Sequence, residues 1–537
     1  MLLQALRPNN TQKQVATPRA IPAPVEGWDS STALAVMPAA RAVQLKNWFP
    51  QPGYVEMRRG YQTHASSLGT STTSIETLMA YNGQATSKMF AAGGGKIYDV
   101  TASGAGTSSL TGLSVNRWQW VNFVNTGATY LYCVNGTDAA RHYNGSAWAT
   151  PAITGVASTD LIHVTSHKRR LWFVEKDSTS VWYLAADAIA GAATELDVGS
   201  LLSEGGYVMA ITTWSIDAGT GPDDYFVIIS SKGQVAIYQG TDPAGADTWA
   251  LVGVFKLPPP IGRRCFLNYG TQPLVITRTG VLQLKMSLTN AEATMDTTAI
   301  STTIMQSMHV AAKAYGDNWG WELCAYPAGT RLILNIPTAE NSTAKQYVMN
   351  SLTGAWCEFD GHNANCWLTF NNRLYFGGNR GRVYRADYTS ADEQATIVAT
   401  GQTAYANAGG GGQKRYTMAQ ALIYTDSTAR VSIGVSTDFV ETNAISTPSG
   451  VVPATSVWDT ATWDTSTWGG APVYYNDWTS TPALGRFASV KFTARTGILA
   501  QGWSEGAWGV ALWGAYAPEQ TIQINGFVLL AEPGGVL

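Results

Sequence analysis

The feature that most restricts how this chain can fold is a recurring hairpin. In Asn371-Asn372-Arg373-Leu374-Tyr375-Phe376-Gly377-Gly378-Asn379-Arg380-Gly381-Arg382-Val383-Tyr384-Arg385-Ala386-Asp387, an apolar run ends in a Gly/Asn/Arg cluster and a second run follows. Two short β-type runs separated by such a cluster form a β-hairpin. Related units occupy 89–98, 131–143, 171–183, 226–238 and 274–284. With the aromatic or apolar residue of each second run as a ruler, Tyr98, Tyr143, Tyr183, Tyr238, Leu284, Tyr347 and Tyr384 are 45, 40, 55, 46, 63 and 37 residues apart. Four-stranded propeller blades repeat every roughly 40–50 residues, and radial closure leaves few open sheet edges. The spacing therefore predicts an all-β chain built on a β-propeller of seven blades, with six the alternative. The 63-residue interval has a visible cause: Ile300, Ile304, Met305, Met308, Ala312 and Tyr315 recur at helical spacing, so a helix is inserted there.

Composition agrees with many turns and a neutral surface. Only 13% of the 537 residues are charged, against roughly 25% in an ordinary soluble domain, while Gly (54), Trp (20) and Tyr (24) are abundant. A net charge of −3 gives no basic stripe for clamping nucleic acid, although it suits a surface that DNA slides past. The five cysteines, Cys133, Cys265, Cys324, Cys357 and Cys366, are scattered and odd in number, which points to free thiols and a reducing compartment. Met1 to Arg7 lacks an apolar core long enough for a secretory signal, and no window has the 18 or so apolar residues a membrane helix needs. The expectation is a soluble protein without an export signal.

Four regions are expected. Residues 1–60 form an N-terminal arm with an anchoring segment around Trp28, Trp48 and Phe49, including a turn at Pro50-Gln51-Pro52-Gly53 and a strand at 54–58. Residues 61–400 form the propeller. Residues 401–415, with four consecutive glycines at 409–412, form a linker, because such a run has no side chains to pack and much backbone entropy to lose. Residues 416–537 form a C-terminal β domain of sandwich type, in which 421–424 and 429–435 read as a hairpin and 487–494 and 522–530 as further strands.

Candidate sites are few. His163 and His167 have the spacing of two zinc ligands on a helix, but their surroundings are strand-like and the H-E-x-x-H glutamate is absent, so ordinary surface histidines are expected. Gly409 to Arg415 lacks the Gly-Lys-Ser/Thr ending and the following helix of a phosphate loop. Ser436-Thr437-Asp438-Phe439-Val440 lacks the glycine and tryptophan of a sialidase Asp-box, and no G-x-S-x-G elbow occurs. No enzyme activity, cofactor or metal is expected. Arg58-Arg59, Lys168-Arg169-Arg170, Arg263-Arg264, Lys414-Arg415 and the Arg380/Arg382/Arg385 set read as solvated loop charges; several facing one channel would meet DNA phosphates. Trp458, Trp463 and Trp468 repeat every five residues, which fits neither a helix face nor a strand face and makes them either core or interface anchors.

The chain resembles the tail hub, or nozzle, proteins of short-tailed bacteriophages, also described as tail accessory or DNA-stabilisation proteins. The resemblance rests on Gly27-Trp28-Asp29, Asn47-Trp48-Phe49-Pro50, Arg58-Arg59-Gly60 and Gly95-Lys96-Ile97-Tyr98-Asp99. It rests most on the insertion helix followed by Arg331-Leu332-Ile333-Leu334-Asn335-Ile336-Pro337, Tyr347-Val348-Met349-Asn350 and Gly354-Ala355-Trp356-Cys357-Glu358-Phe359. It covers about 27–390; the Trp-rich C-terminal part is similar in style only. The resemblance implies a structural virion protein, made in the host bacterial cytoplasm, forming a homo-oligomeric ring of six copies below the portal and adaptor proteins. Such a ring retains double-stranded DNA, passes it during ejection, and docks tail fibres, spikes or a needle, with possible contact to the host surface. The competing expectation is a propeller that binds or cleaves envelope carbohydrate.

Overall fold

The computed structural model describes residues 16–217, 222–245, 247–270, 272–289, 292–393, 395–407, 412–425, 430–441, 473–496 and 521–533. Two compact units divide the described residues: one comprises those within 58–397, and the other joins those within 16–57 to those within 398–496 and 521–533.

The 58–397 unit holds seven antiparallel arrays in chain order: five separate four-stranded sheets at 75–111, 119–149, 161–197, 208–256 and 266–299, four strands of a larger sheet at 322–360, and three strands at 366–389 that a fourth completes. We number them blades 1 to 7. The innermost strands are Ile75–Asn82, Gln119–Val124, Leu161–His167, Val208–Asp217, Phe266–Tyr269, Glu322–Tyr326 and Cys366–Phe370. Each contacts the next, and Cys366–Phe370 returns to Ile75–Asn82, so the strands close a ring. Blade 7 takes Cys366–Phe370, then the two hairpin strands Arg373–Gly377 and Val383–Thr389, and its fourth strand is Gly60–Ser66, paired antiparallel with Val383–Thr389. The expected propeller is therefore present with seven blades, closed by a strand from the start of the unit.

All seven ruler residues lie in the third strand of their blades. Packing gives the reason. The core is divided among the seams between blades, and third-strand rings help fill those wedges. Tyr98 packs with Leu368 and Tyr375 between blades 7 and 1. Tyr143 packs edge-on against Tyr81 and Phe90 between blades 1 and 2, with centroids 5.2 and 4.8 Å away. Tyr238 joins Trp172, Phe226 and Trp249 between blades 3 and 4. A large ring spans such a wedge with few rotatable bonds, which explains a recurring aromatic better than a recurring aliphatic residue.

The inserted helix, Met305–Tyr315, follows a short 3-10 turn at Thr302–Ile304 and lies between blades 5 and 6. It begins later than the periodic pattern at Ile300 suggested. Ile304, Met308, Ala311 and Ala312 form its buried stripe, whereas Met305 and Val310 face solvent. Trp356 Nε1 donates to the Ile300 carbonyl at 2.9 Å and holds the approach to the helix against blade 6. No helix among the described residues is long and apolar enough to cross a membrane.

The other unit is a sandwich of two sheets. Trp48–Gln51, Tyr54–Met57, Ile522–Pro533, Lys414–Thr425 and Val473–Tyr475 form one, with Thr17–Pro22 and Trp478–Gly485 as additional partners. Arg41–Lys46, Val398–Thr403 and Phe487–Arg495 form the other, extended by Gly27–Trp28, Ala406–Asn407 and Arg430–Thr437. Phe492 links them, its ring 5.4 Å from Trp48 and 5.0 Å from Phe527.

This arrangement changes the expected division at 1–60, 401–415 and 416–537. Residues 17–22 are a strand paired with 526–531 rather than a separate arm. The expected linker carries strands on both sides of residues 408–411, which lie outside the described residues. The two runs read as a hairpin, Lys414–Thr425 and Arg430–Thr437, belong to opposite sheets. Sandwich strands of either sheet alternate in the same way, so periodicity alone cannot distinguish a hairpin from a crossover between sheets.

Candidate functional site: two arginines on the propeller axis

Most of the basic clusters hold the blades together. From the first turn of blade 3, Lys168 reaches Asp224 of blade 4 at 2.9 Å, Arg169 pairs with Asp187, and Arg170 reaches Asp242 at 3.1 Å. Arg382 pairs with Glu393 at 3.0 Å, and Arg385 lies over the Tyr388 ring at 3.7 Å. Arg58 is buried against Asp392. In the sandwich, Lys414 is also buried, with Nζ donating to Asn407 Oδ1 at 2.6 Å. Lys414, Arg58 and the paired arginines thus depart from the solvated loop charges expected from the sequence, whereas Arg59, Arg380 and Arg415 are exposed as expected.

Arg263 and Arg264 differ in position. They lie in the connection between blades 4 and 5, yet their side chains reach distant blades. Arg264 Nη1 donates to Glu322 Oε2 of blade 6 at 2.8 Å. Its Nη2 donates to Thr77 Oγ1 of blade 1 at 2.9 Å and to the Trp118 carbonyl ahead of blade 2 at 3.2 Å. Blades 4 and 5 are not neighbours of blades 1 and 2 around the ring, so this guanidinium lies inside the circle of innermost strands.

A compact charged group surrounds it. Arg117, from the connection between blades 1 and 2, donates to Glu76 at 2.8 Å and to Glu340 at 3.0 Å. Arg117 and Arg264 both lie over the ring of Trp319, 5.2 and 4.9 Å from its centroid. Glu340 in turn accepts from the Trp319 backbone N–H at 2.6 Å. Asn116 and Asn341 each donate to Glu76 at 3.3 Å. Glu322 also accepts from the Trp367 backbone N–H, which brings blade 7 into the group. Planar guanidinium groups suit this setting because they combine directional donors with a face that stacks on an aromatic ring.

Burial sets the electrostatics. It raises the Glu322 carboxyl above its ordinary value, with the charge of Arg264 working in the opposite direction. It also opposes the Arg117 charge, but the hydrogen bonds Arg117 donates to Glu76 and Glu340, with the charges of those carboxylates, outweigh it and hold that guanidinium above its ordinary value. Arg263 is half-buried, and burial lowers its pKa; Tyr207 and Asp177 partly counter this, while Arg117 adds to it. Among the described residues, no hydrogen bond or ion pair engages the Arg263 guanidinium.

His163 and His167 are correspondingly not surface histidines. Both lie on the innermost strand of blade 3, and burial pushes both down to about 4, with Arg263 contributing at His163 and Lys168 at His167. His167 is 2% exposed and its Nδ1 lies 3.2 Å from Thr213 Oγ1. His163 Nδ1 is buried without a partner. No group of three His, Cys, Asp or Glu among the described residues could hold a metal ion.

Trp458, Trp463 and Trp468 lie outside the described residues. Asp438, weighed above as part of an Asp-box, has a structural role: its Oδ1 accepts from the backbone N–H groups of Arg486 and Phe487 at 2.8 and 3.0 Å. The axial group was not singled out in the sequence as a unit. Its only local signals are the Arg263-Arg264 pair between two hairpins and Trp319 just after the inserted helix.

No family model matches this chain, and no curated protein matches it. Among solved structures, the chain is similar to BBS1N in a complex with ARL6DN, at 10% identity and a TM-score of 0.40, covering 63% of this chain and 99% of that one. It is also similar to the β-propeller domain of Cps50 (Swd1) from Myceliophteria thermophila, at 11% identity and a TM-score of 0.39, covering 62% and 100%. The computationally designed protein Ika8 is similar at 11% identity and a TM-score of 0.35, covering 60% and 99%.

Proposed function

We propose that this chain is a structural virion protein of a short-tailed bacteriophage, a tail hub or nozzle subunit that assembles into a closed ring of six copies around the DNA path. The reading rests on the motif succession that carries the family resemblance. In the fold these motifs are consecutive parts of one region: the inserted helix, then the second, third and fourth strands of blade 6, Arg331–Ala339, Thr343–Asn350 and Trp356–Asp360. The resemblance therefore concerns a contiguous structural unit, including an insertion that a minimal propeller does not need.

The axial group bears on where DNA would run. Arg264 is held by acceptors on blades 1 and 6, so the middle of a single propeller is occupied by side chains. A duplex would pass through the opening left between copies in a ring, and closed cyclic assembly supplies such an opening. The low charge density of the chain also suits a wall that does not bind phosphates tightly. In this role the protein contacts itself, portal or adaptor proteins, and fibres, spikes or a needle.

Immunogold labelling of intact particles tests the assignment. The expected label lies at the tail, and particles made without this protein lose their packaged DNA. Label absent from particles, or full DNA retention without the protein, contradicts it.

A further inference from the structure

We propose that the closing strand of the propeller, Gly60–Ser66, is an acid-released latch: protonation of His64, on the strand, and His362, packed against it, frees the strand from blade 7 while the other blades stay folded. The strand is suited to local release. It is the first strand of its unit, so it can leave without drawing another blade strand with it. Its ladder with Val383–Thr389 is interrupted: Ala65 pairs with Val383, Thr63 with Tyr384, Gln62 with Arg385 and Gly60 with Thr389, with two register shifts between them. Beyond that it has only short parallel pairings, to Gly104–Ala105 and to Asp392. The matching strands of blade 4, Pro222–Ser230 and Gln234–Gly240, pair over five consecutive positions without a shift. An interrupted ladder opens locally at a lower free energy than the whole fold.

Two of the six histidines hold this strand, one on each side of blade 7. His362, in the connection from blade 6, is 3% exposed, and its ring lies 5.5 Å from Tyr61 and 5.6 Å from Trp367 and Phe376. Among the described residues neither of its ring nitrogens has a hydrogen-bond partner. On the other side, His64 Nε2 lies 2.9 Å from the Val100 carbonyl, and its ring stands edge-on to Tyr375 at 4.9 Å. Tyr375 and Phe376 are consecutive on one strand, so they face opposite sides of the blade. The charges acting on the two imidazoles are all positive: Arg58 and Arg331 at His362, Arg385 and Arg373 at His64. The carboxylates around them are already engaged, Asp392 by Arg58, Asp387 by Arg331, Glu393 by Arg382, Glu358 by Lys345 and Asp99 by Lys88. Burial raises the phenols of Tyr61 and Tyr384, which stay neutral.

A proton on either ring therefore adds a third positive charge to a site that has two and offers it no counter-charge. Burial first, and the arginines second, keep both imidazoles below their ordinary value while the strand is closed; the Val100 carbonyl opposes this at His64. Once the strand leaves, both rings meet water and titrate near 6.5. Opening thus takes up protons as pH falls below that value, and each histidine multiplies the opening constant by up to about thirtyfold between pH 7.5 and pH 5. His163 and His167 are buried as well, but they lie on the innermost strand of blade 3, which contacts the innermost strands of blades 2 and 4. Charging them requires two blade seams to part, so the closing strand yields first. The latch operates whether or not the chain forms a ring.

Hydrogen exchange of the full chain, corrected for the intrinsic pH dependence of the amides, tests this between pH 7.5 and pH 5. Protection of residues 60–66 should fall by at least about tenfold at pH 5, while Leu161–His167 and Gln234–Gly240 keep theirs. The double variant His64→Gln/His362→Phe should keep residues 60–66 protected at pH 5. Equal loss of protection in every blade, or the same local loss in the double variant, overturns the proposal. Should that variant fail to fold, the wild-type profile gives the second reading. Protection of 60–66 that is level above pH 7 and declines from about pH 6.5 downward supports the histidines; protection that stays level down to pH 5 contradicts them.

Discussion

Arg58 and Asp392, 334 residues apart in the chain, form a two-pronged ion pair in which Arg58 Nη1 donates to Oδ1 at 2.8 Å and Nη2 to Oδ2 at 2.6 Å. The pair lies where the propeller is closed. Arg58 precedes the Gly60–Ser66 strand that completes blade 7, and Asp392 follows the Val383–Thr389 strand to which it pairs. Nη2 also donates to the Asp360 carbonyl at the end of blade 6, at 2.5 Å. Thr63 and Arg382 both donate to Glu393, at 2.7 and 3.0 Å, and add a second link across the same closure.

Asp392→Ala should weaken this closure severely, because it leaves the Arg58 guanidinium buried without its counter-charge. Breaking a buried pair from one side costs about 3–5 kcal/mol, whereas replacing both partners with apolar residues of similar volume costs less. Hydrogen exchange of residues 60–66 is the appropriate readout, since two compact units need not unfold together. Exchange should accelerate in Asp392→Ala and less so in Arg58→Met/Asp392→Leu. Unchanged protection in the single variant would show that the pair does not secure the closing strand.

Mild acid should destabilise the propeller. Burial lowers His64, His142, His163, His167 and His362 below the ordinary imidazole value, so the fold favours their neutral forms. The stabilisation from a group lowered in the folded state is complete above the unfolded value of 6.5 and is lost as pH falls toward the folded value. At His167, lowered to about 4, it amounts to about 3 kcal/mol. Melting temperatures should therefore be level above pH 7 and fall between pH 6.5 and 4.5. His362 lies 5.5–5.6 Å from Tyr61, Trp367 and Phe376, ring to ring, and has no hydrogen bond to either ring nitrogen. His362→Phe should reduce the acid loss; an unaltered pH profile would exclude this histidine as a contributor.

Arg264→Gln should add a loss of stability as pH rises. Glu322 is already raised by burial with Arg264 opposing that shift, and removal of the guanidinium raises it further. An acid raised in the folded state is tolerated below its unfolded pKa and penalised as pH rises through and above it. The variant should melt lower at pH 8 than at pH 5.5, relative to wild type at each pH. A constant deficit across that range would mean that the arginine acts through packing on Trp319 alone.

The five thiols should be silent in the native protein. Cys133, Cys265, Cys324, Cys357 and Cys366 are buried and unpaired, and burial raises the pKa of every one, to about 12 at Cys265 and Cys324. Reaction with a chromogenic disulfide at pH 8 should give close to no equivalents until denaturant is added, then five. Rapid native reaction would show a seam open enough to admit the reagent.

The propeller was legible because its signal is local and repeated. Each hairpin carries its own turn residues, and the third-strand ring recurs because every seam presents the same wedge. Asn371 and Asn372 take φ 48° and 57° in a two-residue turn, a conformation that asparagine tolerates well. The second unit was less legible because it is assembled from both ends of the chain. Nothing in Thr17–Pro22 shows that it pairs with Gly526–Ala531, since that register depends on which sheet the strand joins. The axial group was hidden for a similar reason. Arg263 and Arg264 read as one basic dipeptide, yet their side chains diverge toward different blades, and only ring closure brings Glu76, Arg117, Trp319 and Glu322 together.

Cryo-electron microscopy of the purified full chain, alone and in tails isolated from virions, tests the ring assignment most directly. The account predicts closed rings of six copies with the DNA path between subunits, coaxial with the tail and with each propeller's own centre filled at Arg264 and Trp319. Monomers under both conditions, binding or cleaving host polysaccharide and absent from the tail axis, would contradict it.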